Sequence, residues 1–120
     1  MSIDLAALTP VQLTFTKSGG AKISVRFAVF RDPQTPTQER VRLVFMGGAT
    51  TATETELLEG LPPGNYQIVG LAVVEEAVSG TFKYQATING KQFAKREGDV
   101  NLSSSIDVDS FVHRRDLTVA

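Results

Sequence analysis

The sequence predicts an all-β fold, an antiparallel sandwich of about seven to nine short strands. Three observations carry this. Thirteen Val and twelve Thr make up about a fifth of the 120 residues, and β-branched side chains suit a pleated surface. Apolar and polar residues alternate with period two in segment after segment. Turn-forming residues recur about every ten positions, and no stretch shows a convincing helical period. One turn of helix over Leu5 to Leu8 is the most the pattern allows.

In the first strand Val11, Leu13 and Phe15 face one way, with Gln12, Thr14 and Thr16 opposite. Lys17-Ser18-Gly19-Gly20 reads as a turn. In the second strand Ile23, Val25, Phe27 and Val29 share a face. Arg31 to Thr37 holds two prolines, which cannot donate to a ladder, and is a loop. The third strand is expected to turn Val41, Leu43 and Phe45 inward and Arg40 and Arg42 outward, ending at Gly47-Gly48. Thr50 to Glu56 is polar on both faces and suits an edge strand.

Tyr66 to Val74 is the expected central strand. Tyr66 and Ile68 occupy one face and Val69, Leu71 and Val73 the other, so both faces are expected to be buried; Gly70 marks a bulge or a close backbone approach. Phe82, Tyr84, Ala86 and Ile88 alternate up to Asn89-Gly90, whose positive φ angles favour a type I′ turn. A two-residue loop pairs Ile88 with Lys91 and Ala86 with Phe93. After Gly98-Asp99, Val100 and Leu102 precede a polar Ser103-Ser104-Ser105. Ile106 and Val108 alternate with Asp107 and Asp109, and a final strand runs through Val112 to Val119.

The segment Glu59-Gly60-Leu61-Pro62-Pro63-Gly64-Asn65-Tyr66-Gln67-Ile68 resembles the G-L-P-P-G-x-Y element of transthyretin-like and Cna-B-like β-sandwich domains. In those families it forms a tight corner before a core strand, reminiscent of the tyrosine corner of immunoglobulin-like folds. The resemblance covers about ten residues and implies an immunoglobulin-like or transthyretin-like sandwich; fold alone implies little about function. Many Cna-B-like domains carry an acidic residue four positions after the tyrosine, which assists a Lys–Asn isopeptide bond. Gly70 stands there in this chain. An isopeptide is therefore not expected, although Lys17, Lys22 and Asn101 are present.

Twelve basic residues balance thirteen acidic ones, for a net charge of −1. That removes the electrostatic footprint of a nucleic-acid binder and of a protein drawn to anionic membranes by charge. The absence of cysteine excludes disulfides, thiolate metal ligation and thiol catalysis within the chain. No basic n-region with an apolar stretch opens the sequence, and the longest uncharged apolar stretch, Ile68 to Val74, is too short to cross a bilayer. The expectation is a single domain over residues 1–120, cytoplasmic as written, with no membrane insertion, no cofactor and no metal.

Candidate chemistry is sparse. Ser110, His113 and Asp116 supply the residue types of a hydrolytic triad, but their spacing suits a helix and the segment reads as a strand. His113 is expected at the surface. Asp107 and Asp109, near Asp99, offer oxygens to calcium without an EF-hand spacing. Thr51, Thr53 and Thr55 align on one strand, whereas ice-binding surfaces need a flat array over several. Tyr84 with Lys83, Lys91, Lys95 and Arg96 makes the C-terminal hairpin locally basic. No phosphate-cradling, dinucleotide-binding or H-E-x-x-H motif occurs.

The reading that results is a non-catalytic module acting by self-assembly or protein–protein interaction, for example a component of a phage or other particle. Residues 1–10 and 111–120 are expected to form arms that cover the sandwich's own edge or add to a neighbour's sheet. Expected partner contacts are Ile3, Leu5 and Leu8 in the first arm and Tyr84, Lys91, Lys95 and Arg96 in the hairpin. The alternative is a module recognising a glycan or membrane surface through loops at one end, chiefly residues 31–37 and 47–50.

Overall fold

A computed structural model describes residues 2–100 and 108–120. The chain is all-β among these residues, with nine strands in two sheets. They are β1 (Ile3–Leu5), β2 (Val11–Gly19), β3 (Ala21–Arg31), β4 (Glu39–Ala49), β5 (Ala52–Leu58), β6 (Gly64–Glu76), β7 (Thr81–Ile88), β8 (Lys91–Asp99) and β9 (Val108–Val119). A five-stranded sheet has the order β1-β9-β6-β3-β4, and a four-stranded sheet the order β5-β2-β7-β8. All pairings are antiparallel except β1 with β9.

The inner faces meet through the alternating residues. Phe15 and Tyr84 of the four-stranded sheet lie 5.6 Å apart, and Phe27 of the five-stranded sheet packs edge-on against Phe15 at 6.1 Å and Phe93 at 5.5 Å. These rings join the layers at the separations aromatic pairs prefer. Ile23, Ile68, Ala72, Val74 and Ile88 are fully buried around them. Phe27 faces Gly70 across the β3–β6 pairing, and its ring occupies the space a side chain at Gly70 would need. Gly70 is neither bulged nor approached by another backbone: a side-chain ring fills the space beside it.

The corner before β6 forms as its residues imply. Tyr66 is buried and its hydroxyl donates to the Pro62 carbonyl at 2.7 Å. Arg42 ties the β5–β6 turn to β4 by donating to the carbonyls of Glu59 at 3.2 Å and Gly60 at 3.0 Å.

Several expectations are corrected. Lys17 to Gly20 is not a hairpin turn: β2 continues to Gly19, and Gly20 alone leads across to the other sheet. Lys17 consequently points into the sandwich with a fully covered side chain, donating to the Ile23 carbonyl at 3.1 Å and to Glu54 at 3.3 Å. Those two oxygens offset the desolvation that would otherwise make an inward lysine untenable.

Val41 packs against the core as expected, but beyond it the facing of β4 is the reverse of that expected. Val44 and Met46 point inward, while Leu43 and Phe45 are exposed. A bulge explains it: Val29 pairs with Arg42 but Phe30 with Arg40, so Val41 is the extra residue and the parity of the strand changes there. In β8 the turn pairs Ile88 with Lys91 as expected, with Asn89 and Gly90 at φ of 49° and 80°. The pairing then jumps, so that Ala86 faces Ala94 rather than Phe93. Phe93 is the bulged residue and still reaches the core.

The arms are strands of the same sandwich. Ile3 and Leu5 are buried where β1 covers the end of β9 at Leu117–Val119, and β9 pairs with β6 over its whole length. Within this chain β1 lies along the side of β9 that β6 leaves open. Leu8 remains exposed.

Candidate functional site

The residues singled out in the sequence do not converge. Ile3, Leu5 and Tyr84 are buried, Leu8 is exposed beside the β1–β2 connection, and Lys91, Lys95 and Arg96 are exposed along β8. The β8 bulge splits the hairpin's basic cluster. Gln85 faces Lys95, so Lys95 lies on the outer side, while Tyr84 faces Arg96, so Arg96 lies on the inner side. Arg96 stacks over Phe111 at 4.2 Å, bridging β8 to β9.

Behind that bridge Tyr84 Oη and His113 Nε2 are 2.6 Å apart. Burial pushes the Tyr84 hydroxyl up to about 12 despite the opposing effect of Arg96. Burial, with Arg96 adding to it, lowers the His113 pKa from its ordinary value. Both shifts favour the neutral pair, in which the hydroxyl donates to an unprotonated Nε2. His113 is thus a half-buried partner of Tyr84 and not a free surface group. The alternation of β9 puts Ser110 and Asp116 on the opposite face from His113, so the triad types are not assembled. Asp116 instead accepts from Gln67 at 3.2 Å.

No group of three or more His, Asp or Glu able to hold a metal occurs among the described residues. Asp109 is exposed, and Asp99 accepts from Thr81 at 2.8 Å; Asp107 and Asn101 lie outside the described residues. The threonines are more extensive than the sequence suggested. Thr55 and Thr53 of β5 align with Thr14 and Thr16 of β2, and Thr87 of β7 extends the first row. They cover the outer face of the four-stranded sheet with polar groups. Residues 31–37 run from the end of β3 toward β4 and residues 47–50 close β4, so they stand at opposite ends of an 11-residue strand.

The feature most unlike an ordinary solvated surface is the outer face of the five-stranded sheet. Ladder pairing places Phe45, Arg26, Leu71 and Val112 in one row across β4, β3, β6 and β9. The neighbouring rows are Leu43, Ala28, Val69, Arg114 and Gly47, Ser24, Val73, Ser110. Phe45 is 71% exposed and Val112 50%. Val69, Leu71 and Val73, expected to be buried, are only half-buried, because no second layer among the described residues covers that side. A shallow depression of about 520 Å³ opens on this face between Arg26, Phe45, Gly47, Leu71 and Val73.

Sequence reasoning set Arg26 on the face opposite the core but turned Leu43 and Phe45 inward, and it singled out neither Arg26 nor Val112 as a contact residue. The signal available was a strand apolar on both sides, Tyr66 to Val74, which requires either a covering layer within the chain or one from elsewhere.

No family model matches this chain, and no curated protein does. It is similar to the crystal structure of a DUF4425 family protein from Bacteroides ovatus ATCC 8483, with a TM-score of 0.46 and 12% sequence identity over 90% of this chain and 96% of that one.

Proposed function

We propose that this protein is a non-catalytic interaction module, working by assembly or by docking another protein, and that its contact surface is the outer face of the five-stranded sheet. One observation carries the reading: Leu43 and Phe45 of β4, Leu71 and Val73 of β6 and Val112 of β9 stand on one sheet face, on either side of Ser24, Arg26 and Ala28 of β3, with no second layer over them among the described residues. Apolar surface gathered on one face in this way is uncommon on proteins that act alone, and marks interaction sites. The glycan- or membrane-reading alternative is less favoured, since the loops it needs stand at opposite ends of β4. The Gly60-to-Tyr66 corner, closed by the Tyr66 hydroxyl on Pro62, supports grouping the chain with transthyretin-like and Cna-B-like domains.

A photo-crosslinking residue at position 45, in cells that make the protein, tests this against the same residue at position 55 on the opposite sheet. Discrete adducts from 45 and none from 55 are expected. Adducts from 55 alone, or from neither, would refute the assignment of the face.

A further inference from the structure

The centre of the apolar face carries charge of one sign. The three central rows hold Arg26 and Arg114 and no carboxylate. Both arginines are exposed, and neither has an ion-pair partner among the described residues. Of the acidic groups around the patch, Glu54, which lines the depression, accepts from the buried Lys17 and Glu75 faces Lys22 at 3.9 Å, while Asp116, one row outside, accepts only from the neutral Gln67. A second copy stacked centre to centre would bring the arginine-bearing rows together with no carboxylate within them, and like charges at the centre of an interface oppose association.

We infer that the occupant of this face is an acidic amphipathic helix of another protein, whose apolar stripe covers Phe45, Leu71 and Val73 and whose carboxylates meet Arg26 and Arg114. The inference rests on the reading of the face as a docking surface. The dimensions agree with it. Four strands span about 14 Å and three rows about 13 Å at ordinary sheet spacings, which accepts roughly three turns of a helix about 10 Å across. Arginine beside apolar surface also suits carboxylate recognition, because its planar fork is weakly hydrated and binds both oxygens.

Two synthetic helices of about 18 residues, long enough for marginal helicity, share one Leu/Val stripe and differ only in carrying Glu or Lys beside it. Fluorescence anisotropy with the full chain at low salt is expected to show the Glu helix binding roughly tenfold or more tighter, the preference shrinking as salt is added. Arg26→Glu should reverse the preference, and Phe45→Ser should weaken both helices. Sedimentation velocity of the protein alone is expected to give a monomer. Equal binding of both helices, still dependent on Phe45, would overturn the charge inference and leave the docking face standing. Self-association abolished by Phe45→Ser would overturn it in favour of a second copy. Binding of neither helix would overturn the inference.

Discussion

Replacing Gly70 with alanine probes the packing that makes β6 the central strand. A Cβ at that position would stand 3.0 Å from Phe27 Cε1 and 3.1 Å from Cδ1. The ring has little room to yield, being 2% exposed and held edge-on by Phe15 and Phe93. Forcing an extra carbon into such a site costs about 1–3 kcal/mol. Alanine restricts the unfolded backbone and returns about 0.5–1 kcal/mol. The difference runs from about 0 to 2.5 kcal/mol, and the confinement of the ring sets the expectation at a net loss of about 1–2 kcal/mol. For a chain of 120 residues this lowers Tm by roughly 4–8 °C. Urea titration at unchanged m-value gives the loss directly. Repeating it with Phe27→Leu, which removes the ring from above the glycine, should shrink or reverse the cost of the alanine. A Gly70→Ala variant as stable as the parent, or one whose loss is the same in both backgrounds, would refute the ring-contact account.

Removing the Tyr66 hydroxyl with phenylalanine leaves the buried ring in place and deletes only the bond to Pro62; about 1 kcal/mol should be lost, read as a lower urea midpoint. His113 gives a pH signature. Its folded pKa lies below the unfolded value of about 6.5, so the unfolded chain binds the proton more readily. Stability from this group is full above pH ~6.5 and is lost as pH falls through the lowered folded value. His113→Gln should flatten the fall in urea midpoint over that interval, and an unchanged pH profile would count against the neutral Tyr84–His113 pair.

The sequence by itself determined the class of fold and most of the strands, because period-two burial is a local property written in neighbouring residues. It also placed the Asn89-Gly90 turn and the tyrosine corner at Pro62–Tyr66, where backbone preferences of Gly, Pro and Asn act over a few residues. Only the tertiary structure decided which side of a strand faced the core wherever a bulge intervened. One extra residue at Val41 turned Phe45 outward, and one at Phe93 set Arg96 rather than Lys95 opposite Tyr84. Nor does the sequence state which apolar face lacks a cover: Leu71 and Val73 look like core residues until the strands of the described residues are counted and none lies over them. Bulges and layer contacts depend on segments far apart in the chain, so the candidate surface emerged only once the sheets were assembled.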